Sequence, residues 1–236
     1  MQRIRDAIEP TEDPEAIFGQ GLNKFSRPMV RELIALATSS SYPANVVLFA
    51  EKDESRGIYL LLEGEIKLSI NSRDGRRLSL RIAHKGEILG LVSALTGGAY
   101  ELTAETLYPA RVAAINRRHF LNFLARHPEA YHALSDELTR DFTMACEQLR
   151  TVVLSSSAPK KLARLLLEWS ENGQIVDQGT KVRFSMTHEE IGEFIGTSRE
   201  TVTRILNSFK SKQLVALHGS TLTIPDKAAL AEYAGC

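Results

Sequence analysis

Arg199, Glu200, Thr203 and Arg204 are interleaved with Val202, Ile205, Leu206 and Phe209, which recur at helical spacing. On a helix that spacing turns the four apolar side chains inward and leaves two arginines, a carboxylate and a hydroxyl on the outer face near the helix start. Arginine offers two parallel donors that match O6 and N7 of guanine, and glutamate accepts from the N4 amine of cytosine, each pairing being worth roughly 1–3 kcal/mol of discrimination between bases. An acid among bases gains nothing from phosphate. As a solvated i,i+4 partner of Arg204 alone, Glu200 would contribute only about 0.2–0.5 kcal/mol, and the two roles are compatible.

The flanking residues supply the frame that such a helix needs. Thr187 followed by Glu190 is a capping box that opens a helix through Phe194, Gly196-Thr197 makes a tight turn, and Ser198 caps the next helix, with Thr201 at its third position, as far as about Lys212. Leu214 to Leu217 and Thr221 to Ile224 then flank His218-Gly219-Ser220 as a small hairpin. Two helices, a short glycine-containing turn and a hairpin form a winged helix-turn-helix pattern. The chain as a whole is electrically neutral, 29 Lys plus Arg against 29 Asp plus Glu, which by itself argues against a nucleic-acid partner. The average conceals a local excess: between Thr197 and His218, Arg199, Arg204, Lys210 and Lys212 face the single acid Glu200.

The 236 residues allow two domains. Residues 1–19 are polar, contain Pro10 and Pro14, and read as a loose tail. Residues 20–127 begin with a short amphipathic helix from Arg27 to Thr38 and continue as strand-length apolar runs punctuated by glycines: Val46 to Phe49, Ile58 to Leu62, Ile66 to Ile70, Leu78 to Ile82, Leu102 to Leu107 and Val112 to Ile115. Asp74-Gly75 marks a hairpin, and the set as a whole suggests a closed antiparallel roll. A helix from Arg117 to Arg126 follows. Residues 128–154 form a longer helix on which Tyr131, Leu134, Leu138, Phe142, Ala145, Leu149 and Val152 recur in steps of three and four that average 3.5, the spacing of a two-helix seam. An amphipathic helix packed on its own domain would show much the same pattern. Ser155-Ser156-Ser157 is the expected hinge, and residues 155–236 are the winged helix-turn-helix domain. The expected fold class is therefore α+β: a β-roll, a dimerisation helix and a winged helix-turn-helix.

The run from Thr187 to Leu206, THEEIGEFIGTSRETVTRIL, with Leu214 to Leu222 behind it, resembles the DNA-binding domain of the CRP/FNR family of transcription regulators. The likeness extends upstream through the roll, the segment Gly86-Glu87-Ile88-Leu89-Gly90 and the long helix. It implies a homodimer on an inverted TGTGA-like repeat, with Arg199, Glu200 and Arg204 reading bases, Thr187, Ser198, Thr201, Lys210 and His218 near phosphates, and RNA polymerase as a further partner. It also implies an effector pocket at Gly90, Leu91, Glu101, Leu102, Cys146 and Glu147. In nucleotide-binding members those positions carry a ribose-binding glutamate, an Arg-Ser pair for the cyclic phosphate and two hydroxyls for adenine. Leu91, Glu101-Leu102 and Cys146-Glu147 replace them here, so cyclic AMP is disfavoured as effector. The oxygen-sensing branch's cysteine cluster is absent too.

Other function classes find little support. The six histidines, His84, His119, His127, His132, His188 and His218, contain no His-x-His pair or strand-borne triad for a cupin-like metalloenzyme. His84, His119 or Cys146 as a haem ligand would be a single residue without a motif. No cofactor, metal or catalytic residue is expected. With no apolar run long enough for a signal peptide or a membrane span, and only Cys146 and Cys236 as thiols, the reading is a cytoplasmic protein.

Overall fold

The computed structural model of the chain describes residues 25–154, 157–171, 173–184 and 186–234. The expected tail at residues 1–19, Ser155 and Ser156 of the hinge, and Cys236 lie outside them. The chain divides into two compact units that meet between Ala145 and Cys146, inside a helix.

The first unit opens with α1 (Arg27–Ala35), with Pro28 in its first turn, where the missing N–H is no loss. The roll follows as β1 (Thr38–Tyr42), β2 (Val47–Phe49), β3 (Gly57–Glu63), β4 (Ile66–Asn71), β5 (Arg77–Ala83), β6 (Ile88–Leu89), a short α2 (Leu91–Thr96), β7 (Thr103–Thr106) and β8 (Ala110–Asn116). Two antiparallel sheets result, ordered β1-β8-β3-β6 and β2-β7-β4-β5. The expected Asp74-Gly75 hairpin joins β4 to β5, with Asn71 opposite Arg77 and Gly75 at φ 82°. The sequence reading carried the first helix to Thr38. The helix stops at Ala35, and Thr38 instead opens β1, which pairs with β8 along its length.

The continuous apolar run of β3 reflects burial on both faces. Ile58, Leu60 and Leu62 pack against the helices, together with Leu33, Phe120, Phe123, Leu124 and Leu134. Leu61 points the other way, into the space between the sheets, with Phe49, Ile66, Leu68, Tyr100 and Val112. Each such leucine or phenylalanine contributes on the order of 1.5–3 kcal/mol by leaving water.

After α3 (Arg117–Arg126), helix α4 runs Ala130–Leu149 and passes into a π-helical turn, Arg150–Leu154. The expected seam divides here. Leu134 is 1% exposed within the roll's own core, and Leu138 packs beside it, so Leu134 belongs to its own domain and not to a surface seam. Phe142, Leu149 and Val153 are exposed at 71%, 55% and 68%. The π turn fits an extra residue into one turn, which brings Val153 outward where the sequence pointed to Val152. Val152 turns inward toward Gly196.

The part of α4 that packs on the roll is also fixed by charge. Arg81 on β5 bonds both to Glu87 and, at 2.6 Å, to Asp141. Glu137, 1% exposed, meets Arg140 at 2.7 Å. Burial raises the Glu137 pKa above the usual carboxylate range, Arg140 opposes the rise, and the charges of Asp141 and Glu87 add to it.

The second unit contains α5 (Ala158–Ser170), β9 (Gln174–Val176), β10 (Gly179–Arg183), α6 (His188–Ile195), α7 (Arg199–Ser211), β11 (Ala216–His218), β12 (Thr221–Ile224) and α8 (Lys227–Ala234). Its sheet is ordered β11-β12-β10-β9. Ser157 is extended at the N-cap of α5 but makes no side-chain capping bond.

A carboxylate whose folded pKa is raised costs stability above that pKa, and the cost vanishes below the unfolded value, where both states are protonated. Glu137→Gln should therefore stabilise the protein by on the order of 1 kcal/mol at neutral pH, because Arg140 can still reach water. Thermal melts of the two proteins should converge as the pH falls into the carboxylate range; a destabilised Gln variant at neutral pH would show that the pair is a net gain.

Candidate nucleic-acid interface

Helix α6 begins as its sequence requires. The Thr187 hydroxyl accepts from the Glu190 N–H at 3.2 Å, and the Glu190 carboxylate accepts from the Thr187 N–H at 2.8 Å, which completes the capping box. The helix ends at Gly196 in the left-handed region, φ 64°. Gly192 is needed for a second reason: a Cβ there would lie 2.6 Å from the Thr197 carbonyl oxygen. Ser198 then caps α7 by accepting from the Thr201 N–H at 3.3 Å. Ile191, Phe194 and Ile195 of α6 and Val202, Ile205, Leu206 and Phe209 of α7 are buried, with Trp169 edge-on to Phe194 at 5.7 Å and Tyr233 edge-on to Phe209 at 5.1 Å.

That packing leaves Arg199, Glu200, Arg204 and Lys210 exposed, with Ser198 and Thr187 beside them and Thr201 half-buried. The three expected base readers thus share the solvent face of one helix. The Glu200 pKa is lowered first by its own backbone N–H, then by the Ser198 hydroxyl, with the Arg199 charge contributing; Arg204 is not among the causes. The carboxylate is therefore ionised and held at the helix start. The expected hairpin is present, β11 against β12 with His218 opposite Thr221, Gly219 at φ 58° and His218 exposed.

One residue of this face escaped the sequence reading. His188, the first residue of α6, places Nδ1 2.7 Å from the Thr203 hydroxyl oxygen. Thr203 spends its single hydroxyl proton on the Arg199 carbonyl at 2.9 Å, so Nδ1 must be the donor to Thr203. The His188 pKa is lowered from the ordinary imidazole value by burial first, then by the charges of Lys210 and Arg199. Its ring lines a cavity of about 570 Å³ with Phe184, Met186, Lys210, Leu217, Gly219 and Ser220. The one sequence signal was its place beside an N-cap; the contact with Thr203 spans the turn and has no local signature.

The four expected effector residues on the roll do not converge in the same way. Gly90, at φ 73°, is the N-cap of α2, and Leu91 is 3% exposed within the helix-side core. Glu101 is exposed, and Leu102 is half-buried against the roll interior. Cys146 and Glu147 belong to the other compact unit. The roll instead opens a cavity of about 650 Å³ lined by Phe49, Tyr59, Tyr100, Tyr42 and Arg56 among others, with Phe49 stacked on Tyr100 at 4.1 Å. None of the six expected residues lines it. Among the described residues, no three His, Cys, Asp or Glu side chains gather as a metal site requires, and no helix is long and apolar enough to cross a membrane.

Comparison with known proteins agrees with this division. Residues 39–127 match the cyclic nucleotide-binding domain family, and residues 160–233 match the Crp-like helix-turn-helix domain family. The chain is 26% identical to a CRP-like cAMP-activated global transcriptional regulator of Mycobacterium tuberculosis, over 82% of this chain and 86% of that one. It is 28% identical to the transcriptional activatory protein AadR of Rhodopseudomonas palustris, over 79% and 77%. It superposes on a CRP-family transcriptional regulator from Thermus thermophilus with a TM-score of 0.70 and 27% identity, covering 83% of this chain and 96% of the other. With a cyclic nucleotide-binding-like roll, a long helix and a Crp-like helix-turn-helix in order along one chain, the protein belongs to the CRP/FNR family of DNA-binding transcription regulators, a family of regulators and not of enzymes.

Proposed function

We propose that the protein acts in the cytoplasm as a homodimer on an inverted repeat of TGTGA-like half-sites, contacts RNA polymerase from there, and does so without cyclic AMP. The observation that carries this is the exposed trio Arg199, Glu200 and Arg204 on the solvent face of α7. Arg199 and Arg204 supply the fork geometry that guanine requires, and Glu200 is ionised and ready to accept from cytosine. Thr187, Ser198, Thr201, Lys210 and His218 would supply contacts to phosphate oxygens, which set position but not sequence. A twofold dimer sets two such helices about 34 Å apart, one turn of DNA, hence the repeat.

Independence from cyclic AMP is supported by the roll. Leu91 lies in the core and offers no acceptor to a ribose, while Glu101 places an acid where the family resemblance implies an arginine. Arg81 and Arg140 are already bonded to Glu87, Asp141 and Glu137. Cyclic-AMP activation is a property of the mycobacterial relative. For the dimer, the support is the outward stripe of Phe142, Leu149 and Val153, with Tyr131 at 48% exposure further up the helix. Apolar groups at heptad-like steps on a solvent face are what a partner helix covers.

Selection from random duplexes should return an inverted repeat, and Arg199→Ala or Glu200→Ala should each relax preference at one base position by roughly 1–3 kcal/mol. Lys210→Ala should weaken all duplexes alike and make the salt slope shallower by about one per protomer. Cyclic AMP or cyclic GMP added to the same assay should leave the affinity unchanged. Recovered sites without twofold symmetry, or a nucleotide-dependent gain, would count against the reading.

The seam makes a separate prediction. Phe142→Asp together with Leu149→Asp should give folded monomers by light scattering and lose DNA affinity, because two carboxylates would then enter an apolar interface. Leu134→Asp should instead unfold the roll, since that side chain lies within its core. Wild-type protein that remains monomeric at micromolar concentration would rule out the dimer.

A further inference from the structure

We propose that His188 takes up a proton when the domain engages DNA, its Nε2–H donating to a backbone phosphate seated beside the wing, so that DNA affinity rises as the pH falls. The inference deepens the DNA-binding reading and rests on it.

The chemistry follows from one hydroxyl. Because Thr203 directs its proton to the Arg199 carbonyl, the Nδ1 of His188 is committed as donor to Thr203 in both charge states of the ring. That leaves Nε2, which is a bare acceptor on the neutral ring and a donor on the imidazolium. A phosphate oxygen is an acceptor only. It can bond to Nε2 only after a proton from solvent has been added there, so phosphate binding and protonation are linked.

The seat for that phosphate is the cavity of about 570 Å³ where His188 and Lys210 face the wing turn Gly219-Ser220. Lys210 supplies a permanent charge. Serine hydroxyl and glycine backbone on the wing suit a close approach of the duplex backbone. Without the duplex, Lys210 and Arg199 from α7 both oppose a charge on the ring, and burial adds to them. Phe184 and Met186, from the segment before α6, are apolar. The wing's own titratable group is His218, which is exposed. On the ring's own helix Glu189 is exposed, and Glu190 is engaged in the capping box. The free protein therefore holds His188 neutral near pH 7, and an incoming phosphate supplies the negative charge that reverses this balance.

The test is DNA affinity against pH at fixed salt, from about pH 8 to about pH 5.5, across the range in which imidazole titrates. Wild-type protein, His188→Gln, His188→Arg and His218→Gln are compared on a duplex carrying the selected repeat and on a random duplex of equal length. Affinity of the wild type should rise with acidification by up to about tenfold per protomer per pH unit on both duplexes, since a phosphate contact ignores sequence. His188→Gln should flatten the rise, His188→Arg should bind tightly and nearly independently of pH, and His218→Gln should keep the slope. A titration of the His188 Cε1–H resonance should show its midpoint moving up when duplex is added. Equal slopes in wild type and His188→Gln, or a midpoint that stays put, overturn the inference while leaving DNA binding intact. Affinity that falls on acidification also overturns it, because it would mean that Nε2 accepts from a base amine. No binding to either duplex at any pH overturns the reading of this face as a DNA interface, and the inference with it.

Discussion

The turn that joins α6 to α7 folds back on α6 so closely that residue 192 has no room for a side chain: a Cβ there would sit 2.6 Å from the Thr197 carbonyl oxygen. With glycine there, α6 can end at Gly196 and the chain can reverse through Thr197 and Ser198 before α7 begins. The crossing in turn decides which side of α7 is buried. Val202, Ile205, Leu206 and Phe209 are held against Ile191, Phe194 and Ile195, so Arg199, Glu200 and Arg204 have nowhere to face but solvent. A methyl group at residue 192 would push the turn away from α6 and loosen the seating of α7 without touching any residue on its exposed face. Which side chains this surface presents is thus a packing property before it is an electrostatic one.

The electrostatics are correspondingly local. A chain with no net charge has little long-range field to draw it to an anionic partner. What the protein has instead is a short-range arrangement. Glu200 is kept ionised by its own backbone N–H and Ser198, and His188 is tied to Thr203, which is itself tied to Arg199. Thr203 therefore links the first turn of α6 to the first turn of α7. The first turn of α7 and the donor role of the histidine Nδ1 meet at the same hydroxyl.

Much of this was legible in the sequence because the signals are local. Caps at Thr187 and Ser198, the turn at Gly196 and the hairpin around Gly219 each lie within a few residues of what they control. β1 was missed because Thr-Ser-Ser-Ser-Tyr offers no apolar alternation; its strand character comes from pairing with β8, more than sixty residues away in the chain. α8 was missed for a similar reason, since its one fully buried leucine, Leu230, finds its partners only after folding. The effector residues were named from resemblance along the chain, and the roll placed Leu91 in the core and Glu101 outside it. Nothing local distinguishes Leu134 from Leu149 either. Both fit one apolar stripe, and only the presence of the roll beneath the first half of α4 makes one a core residue and leaves the other exposed.

The part of α4 that packs on the roll fixes more than its own burial. Successive residues on a helix point about 100° apart, so the rotation of the helix about its axis decides which of two neighbours faces the roll. Asp141 and Phe142 are such neighbours. Arg81 holds Asp141 at 2.6 Å, and Glu137, one turn earlier, is buried on the same side beside Arg140. A rotation by one residue would take Asp141 from Arg81 and bring Phe142 toward the roll. The guanidinium of Arg81, 11% exposed and bonded also to Glu87, would then be left with half of its compensation. Arg81 would keep Glu87 but lose its bond to Asp141, and burying a single ring returns only about 1.5–3 kcal/mol against that loss. The buried ion pairs therefore need add no net stability to matter: they set the angle of the helix, and with it the face that carries Phe142 outward.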